Sequence, residues 1–242
     1  MDLGGVGMSE PRRWSPARLL AFVVLAAWGA LFWFMLLGGR SSLYLSNRTR
    51  WLVPTGAILL TLAALGRLAS ARTAVPRPAN RSDGRVAALM LVPVVVLFAL
   101  PPATLGAYAA SRRSVTSGGG VSAADISSGA ITYFDIASAL GNREAMQALT
   151  NREGEQIVLE GFVTNQEGDA TGEFFLTRFL ITCCVADATA TEVRVVDAPP
   201  GGFPDNQWVR VTGAMYPVGA DVLIDAASVE TIPRPADPYL SG

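Results

Sequence analysis

The chain contains no histidine and no lysine, and only two of its 242 residues are cysteines. All 19 basic residues are therefore arginines, and the two cysteines, Cys183 and Cys184, are adjacent. Without histidine there is no Ser-His-Asp or Cys-His arrangement, and without lysine there is no Walker-type phosphate loop. A dinucleotide-binding fingerprint is also missing. We therefore expect no familiar hydrolytic or nucleotide-dependent enzyme, and the cysteine pair is the main candidate for selective chemistry.

Charge is divided unevenly between the two halves of the chain. Up to Arg113 there are 13 arginines and three acidic residues, a net charge of +10. From Ser114 onward there are six arginines and 17 acidic residues, a net charge of −11. A domain with this excess of acid is poorly suited to phosphate backbones, so we expect no nucleic-acid partner. The division predicts a basic membrane domain followed by an acidic soluble domain.

Three apolar runs in the first half have the length of membrane-spanning helices, for which about 20 residues suffice. We predict transmembrane helices at about 19–37, 51–68 and 86–108, within a membrane domain of residues 1–113. The alternative for the first run is a cleaved signal peptide. However, its apolar core is long, and no small-residue cleavage site precedes Arg40. The membrane bilayer is therefore an expected partner.

The placement of the arginines predicts the orientation of these helices. The N-terminal tail and the segment after the second run carry eight arginines, against five on the other side. This bias favours a cytoplasmic N-terminus. Three spans then place the C-terminal domain outside the plasma membrane. No charged residue lies in the interior of any run, although ion pathways usually contain such groups. We therefore expect an accessory subunit of a transport system, not a pore.

The second half predicts a short linker followed by a small β domain. Residues 114–130 are rich in serine and glycine, which is typical of a flexible linker. A helical stretch begins at Thr132, with a break at Gly141-Asn142. Five strand-like segments follow, at 156–164, 173–182, 192–197, 207–216 and 222–232.

Two of these segments contain glycine after an apolar-x-apolar pattern, at Gly161 and Gly213. Glycine inside a strand commonly marks a bulge or a sharp bend, which coils a small sheet into a barrel. We therefore predict an α+β fold in which three N-terminal helices precede a β-rich, OB-like small barrel. This acidic domain, with its leading helix, is expected over residues 131–242.

Four sequence blocks carry a resemblance to a known family. They are LEGFV at 159–163, FLTRFLITCCVADA at 175–188, WVRVTG at 208–213 and PADPY at 235–239. In this order, after three apolar segments, they resemble the YcgQ-like bacterial membrane proteins, which are permease-associated and of unknown function. The resemblance implies a two-component system in which the chain accompanies a larger polytopic permease. The chain lacks the N-terminal histidines of many relatives, which weakens a metal role for its membrane domain.

The adjacent cysteines follow an apolar strand and precede Asp187. One interpretation is packing, because small thiols behave as apolar side chains. A second is a site for a thiophilic metal such as zinc, with Cys183, Cys184 and Asp187 as ligands, although tetrahedral zinc needs four. A third is a strained vicinal disulfide, since adjacent Cα atoms are only about 3.8 Å apart. We expect a permease accessory subunit handling a thiophilic substrate here; an extracytoplasmic thiol-redox protein or sensor is the alternative.

Arg178 is the one charged residue inside the central apolar strand. It shares a strand face with Leu176 and Leu180, so its guanidinium group needs a carboxylate or carbonyl partner. We expect a structural ion pair, and an anion contact is the alternative.

Overall fold

The computed structural model describes residues 13–73, 75–100, 104–112, 121–200 and 202–241. The chain forms two compact units. The first comprises Met1–Ser41 and Arg50–Pro102, and the second comprises Ser42–Thr49 and Ala103–Gly242. The short segment that joins the first two apolar helices therefore belongs with the C-terminal domain. The sequence alone did not predict this.

The first unit consists of three long helices and one short strand pair. Strand β1 (Arg13–Trp14) pairs with strand β2 (Arg72–Thr73). The helices are α1 (Pro16–Leu37), α2 (Leu52–Ala69) and α3 (Arg81–Ala99), and each is long and apolar enough to cross a membrane. Many of their large apolar side chains are exposed, as a lipid environment would allow.

The third helix differs from the predicted span of 86–108. It begins at Arg81, where Asn80 and Asp83 form a capping box that the apolar pattern did not include. It ends at Ala99, because Leu100 precedes Pro101 and takes an extended conformation, with φ −85° and ψ 132°. A residue before proline is disfavoured in the helical region. Beyond the undescribed residues 101–103, a separate helix α4 spans Ala107–Ala110.

Part of the predicted linker is folded. Within 114–130, the structure describes residues 121–130, and Ala123–Ser128 forms helix α5. Ser122 caps this helix by accepting a hydrogen bond from the Asp125 N–H. Ile126 is only 1% exposed and packs in the core of the domain. A flexible linker is therefore wrong for this part, because a buried apolar side chain fixes it.

Two further helices precede the barrel, as the sequence predicted. Helix α6 (Tyr133–Ala139) begins at a capping box formed by Thr132 and Asp135. Helix α7 (Arg143–Thr150) follows after the predicted break, and the Asn142 side chain caps its first turn. Both helices bury apolar side chains against the barrel.

The remaining strands form a closed five-stranded barrel. They are β3 (Gln156–Thr164), β4 (Phe174–Ile181), β5 (Thr189–Val196), β6 (Trp208–Val218) and β7 (Asp221–Thr231). The strand order is β3-β6-β7-β5-β4, and pairing of β3 with β4 closes the barrel. β5 and β7 are parallel, and the other barrel pairs are antiparallel. The predicted α+β fold with a small barrel is confirmed.

The chain closes the barrel by bending at glycine. Between β6 and β7 the register shifts at Thr212 and Gly213, which is the predicted irregularity. A Cβ atom at Gly213 would lie 2.2 Å from the Asp225 carbonyl oxygen, so no larger residue fits there without movement. A last short strand, β8 (Tyr239–Ser241), pairs in parallel with β4. It covers the outer edge of the strand that leads to the cysteines.

Candidate functional site

The two cysteines lie just beyond the end of β4. That strand ends at Ile181, and Thr182 and Cys183 bend the chain before Cys184. We call residues 182–184 the cysteine bend. Side chains alternate between two faces only inside a strand, so leaving β4 allows both thiols to point to one side. Their Sγ atoms are 3.6 Å apart, and both thiols are free. The structure therefore brings the predicted pair together.

Both thiols lie outside the core of the barrel. Cys183 is exposed and Cys184 is half-buried. Packing explains a cysteine that is hidden from solvent. It does not explain an exposed one, so packing does not account for Cys183.

Asp187 holds the backbone of the cysteine bend. Its Oδ1 accepts the N–H of Thr182 at 2.9 Å, and its Oδ2 accepts that of Cys183 at 2.8 Å. The N–H of Cys184 also points to Oδ2, at 3.4 Å. Burial opposes the charge, but these bonds and the Cys183 thiol outweigh it and hold the pKa of Asp187 below its ordinary value. The carboxylate therefore shapes the bend from within.

A second segment holds the same bend from outside. Residues 42–49, which we call the linking segment, join α1 to α2. Leu45 forms an antiparallel bridge with Cys184. The Ser46 N–H donates to the Cys183 carbonyl at 3.1 Å, and the Thr49 hydroxyl donates to the same oxygen at 2.6 Å.

Two further bonds complete this contact. The Ser46 hydroxyl donates to the Thr182 carbonyl at 2.8 Å. The Val185 N–H donates to the Tyr44 carbonyl at 2.9 Å. The backbone of the cysteine bend is thus bonded on both its N–H and its carbonyl sides. No local pattern in 42–49 predicted this role, since the two segments are far apart in the chain.

The Cys183 thiol has a raised pKa. Hydrogen bonding to Asp187, followed by hydrogen bonding to Cys184, raises its pKa to about 12. Reactive cysteines usually lie in electropositive surroundings that lower the pKa. The carboxylate beside Cys183 has the opposite effect, so at neutral pH this thiol reacts more slowly than an ordinary exposed thiol.

The separation of the sulfur atoms suits joint coordination of one metal ion. Two Zn–S bonds of about 2.3 Å at a tetrahedral angle place the sulfurs about 3.8 Å apart. The observed Sγ–Sγ distance is 3.6 Å. The ligand atoms of Cys183, Cys184 and Asp187 all lie within 4.8 Å of one another. Because Asp187 already accepts backbone N–H groups, the two sulfurs are the ligands that the bend presents most directly.

Arg178 bonds to backbone oxygens of the barrel domain and to none of the described atoms of the cysteines. Its guanidinium group donates to the carbonyl oxygens of Glu160 (3.0 Å), Asp237 (2.9 Å) and Pro238 (3.3 Å). Its Cζ atom also lies 5.3 Å from the centre of the Trp208 ring. Burial lowers the pKa of Arg178, and the carbonyl oxygens offset that cost. Carbonyl oxygens were one of the two kinds of partner that the sequence indicated for this guanidinium group.

A cavity of about 700 Å³ on the barrel domain contains a carboxyl group that the sequence did not single out. Its lining includes Tyr108, Thr164, Glu167, Glu192 and Asp205. Burial raises the pKa of Glu192 above its ordinary value. Glu192 is half-buried. It starts a predicted strand, and nothing in the local pattern marked it as shielded from solvent.

The barrel domain matches the model of an uncharacterised family. A DUF1980 C-terminal domain is found at residues 138–241. This range contains the whole barrel together with Arg178, Cys183, Cys184 and Asp187. No curated protein and no solved structure is significantly similar to the chain.

Proposed function

We propose that the chain is a membrane-anchored accessory subunit of a permease, and that its barrel domain binds a thiophilic metal ion through Cys183 and Cys184. The observation that carries the proposal is the pair of accessible sulfurs, 3.6 Å apart, on a backbone bonded from two sides. Thiolate ligands suit Zn²⁺ and Cu(I). Two sulfurs leave coordination positions for solvent or for a partner, as a site that transfers its ion requires.

In this arrangement Asp187 and the linking segment act as positioning groups. Mutation of a group that orients a metal ligand typically lowers the metal affinity by about 10- to 100-fold. Asp187 fixes the N–H side of the bend, and Ser46 and Thr49 fix the carbonyl side. Because the loop is already ordered, binding of an ion to the sulfurs costs less conformational entropy.

The membrane part supports an accessory role. Charged residues occur only near the helix ends: Arg18 in α1, Arg67 in α2, and Arg81, Asp83 and Arg85 in α3. Transport pathways usually contain ionisable groups within the membrane. Three helices without such groups in their interiors are better suited to docking on a larger transporter. The resemblance to permease-associated proteins favours the same partner.

The contacts at the helix ends support a topology with three crossings. Pairing of β1 with β2 joins the residue stretch before α1 to the one after α2. The linking segment, between α1 and α2, contacts the cysteine bend of the barrel domain. A chain that alternates sides at each helix would make both contacts possible. With the arginine bias, we propose a cytoplasmic N-terminus and an extracytoplasmic barrel domain at the plasma membrane.

Metal titration of the full chain in detergent tests the proposal. We expect the native chain to bind one Zn²⁺ or Cu(I), and Cys183→Ser or Cys184→Ser to lower the affinity at least a hundredfold, because each removes a sulfur ligand. Thr182→Ala is the matched control, since this neighbouring side chain is exposed. Unchanged stoichiometry and affinity in both cysteine variants would remove the metal function.

Thiol alkylation followed by mass measurement tests the redox alternative. The 3.6 Å approach of the sulfurs is the observation in its favour. The raised pKa of Cys183 slows thiol exchange, and a metal ion must displace the same proton. We expect two alkylated cysteines in oxidising buffer without added reductant. Alkylation that appears only after reduction would show a vicinal disulfide, and it would replace the metal proposal by a redox one.

A further inference from the structure

The first unit contains a cavity that neither the barrel nor the cysteine pair explains. It has a volume of about 660 Å³ and lies against α1 and α3. Its lining on α1 runs from Ala17 to Leu25, and its lining on α3 runs from Asp83 to Met90. At 1.5 Å per residue, each wall extends about two helical turns along the bundle, or about 10 to 12 Å.

The mouth of this cavity is basic. Arg18 lies in the first turn of α1, Arg67 in the last turn of α2, and Arg77 in the segment that leads to α3. Asp83 is the one acidic lining residue, so the lining has three positive charges and one negative charge, a net of +2. Asp83 is already used in the helix cap, where it accepts the Asn80 N–H at 3.0 Å.

The guanidinium groups at the mouth remain available for a ligand. Arg18 donates one hydrogen bond to the carbonyl oxygen of Ser70, which fixes its position. Within the described ranges, Arg67 and Arg77 form no ion pair with a carboxylate. Arginine binds phosphate oxygens through a planar fork of donors. The mouth is therefore complementary to a phosphate group.

Below the mouth the walls are apolar. Leu20, Val24 and Leu25 line the α1 side, and Val86 and Met90 line the α3 side. The indole N–H of Trp28, one turn below Val24, donates to the Met90 carbonyl at 3.1 Å, which ties the two helices together beneath the cavity. A free phosphate ion would leave this apolar part without a partner, whereas an acyl chain would fill it.

We infer that this cavity binds one anionic phospholipid, with its phosphate between Arg18, Arg67 and Arg77 and the start of an acyl chain along α1 and α3. The basic residues lie at the helix ends and the apolar walls lie within the spans. This order matches that of a phospholipid in a bilayer, with the headgroup at the surface and the acyl chain in the interior. Basic pockets between transmembrane helices bind acidic lipid headgroups in this way. The inference is independent of the cysteine site.

Native mass spectrometry of the delipidated full chain tests this site, with anionic phosphatidylglycerol as the probe. Zwitterionic phosphatidylcholine, whose ammonium group offsets the phosphate charge, is the comparison. We expect one retained phosphatidylglycerol and weaker binding of phosphatidylcholine. Arg67→Gln combined with Arg77→Gln should weaken phosphatidylglycerol binding about thirtyfold, since each arginine near a membrane surface contributes about 1 kcal/mol, or about fivefold.

The matched control is Arg81→Gln combined with Arg85→Gln. It removes the same charge from the same end of the helices, but neither residue lines the cavity. We expect it to bind phosphatidylglycerol within about twofold of the native chain. Equal weakening in both double variants would show a general surface-charge effect and would overturn the site, as would unchanged binding in the Arg67 and Arg77 variant.

Two further measurements separate a lipid from a free anion. Ala21→Trp fills the apolar part of the cavity and should abolish lipid binding, whereas Val23→Trp on the exposed face of α1 should not. Inorganic phosphate at equal concentration should fail to displace phosphatidylglycerol, because it lacks the acyl contact. Full displacement by phosphate, or lipid binding that survives Ala21→Trp, would overturn the lipid assignment.

Discussion

At the scale of single residues, three side chains at the cysteine bend have different roles. Cys183 and Cys184 supply the two sulfurs, whereas Asp187 uses its oxygens mainly on backbone N–H groups. A carboxylate that is bonded in this way orders the loop more than it completes a coordination sphere. The sequence indicated all three residues as ligands, and the structure gives them unequal positions.

Glu192 gives a prediction about pH at the same scale. Burial raises its pKa above the ordinary 4.5, so between pH 4.5 and the raised pKa the folded state binds more protons than the unfolded state. Stability then falls as pH rises through this window. Glu192→Gln removes the buried charge and should unfold at a higher temperature than the native chain at pH 7. The difference should shrink towards pH 4, where the Glu192 carboxyl group is largely protonated in both the folded and the unfolded state.

Thermal unfolding from pH 4 to pH 8 measures this effect. Glu167→Gln is the control, because it removes an exposed carboxylate from the same cavity and should leave the pH profile nearly unchanged. An identical unfolding temperature for Glu192→Gln and the native chain at every pH would contradict the burial argument.

At the scale of elements, the linking segment is a structural part of the barrel domain. It is only eight residues long, yet it is grouped with the second unit and not with the helices on either side of it. Ser46 is 1% exposed, and its hydroxyl and N–H both donate to the cysteine bend. A buried polar side chain is stable when its hydrogen bonds are made. The segment therefore couples the helix connection to the position of the sulfurs.

Removing the two hydroxyl donors should loosen the bend without touching the thiols. We expect Ser46→Ala combined with Thr49→Val to cost roughly 1 kcal/mol of unfolding free energy for each lost hydrogen bond. Metal affinity should fall by roughly tenfold, because the sulfurs lose part of their positioning. Thermal unfolding and metal titration of the full chain measure the two effects.

Asn47→Ala is the internal control for this prediction. Asn47 is exposed within the same segment, so its replacement should alter neither quantity. If the double variant bound metal as tightly as the native chain while unfolding more easily, the linking segment would be a purely structural contact.

At the scale of the whole molecule, the sidedness of the barrel domain decides the environment of the thiols. An extracytoplasmic domain meets an oxidising environment, where exposed cysteines persist only if they are bonded, ligated or protected. A chain carrying Cys184→Ser has Cys183 as its single thiol. In intact cells we expect a membrane-impermeant maleimide to label it, because Cys183 is exposed.

A cysteine introduced at the other end of the helices gives the complementary labelling test. Ala79→Cys, placed in a chain without the two native cysteines, lies in the exposed segment before α3 and should react only after permeabilisation. Labelling of Ala79→Cys in intact cells, with Cys183 protected, would invert the proposed topology. Protease that trims the barrel domain from intact cells would give independent support.

Periodicity and turn chemistry predicted most of the fold. The predicted strand at 156–164 matches β3, and the glycine at position 213 marks the bulge between β6 and β7. The break at Gly141-Asn142 separates α6 from α7. These features are local, because burial of one strand face, helix capping and glycine's small size act within a few residues.

Tertiary structure decided everything that depends on residues distant in the chain. Ser46 lies 136 residues from the Thr182 carbonyl that it bonds, and no local pattern encodes such a pair. The same holds for the burial of Ile126 in the expected linker and for the convergence of Arg18, Arg67 and Arg77. Composition and periodicity set which segments are helices, strands and membrane spans. Closure of the barrel and packing of the helices set which side chains meet, because those contacts form only when separate segments bury their surfaces together.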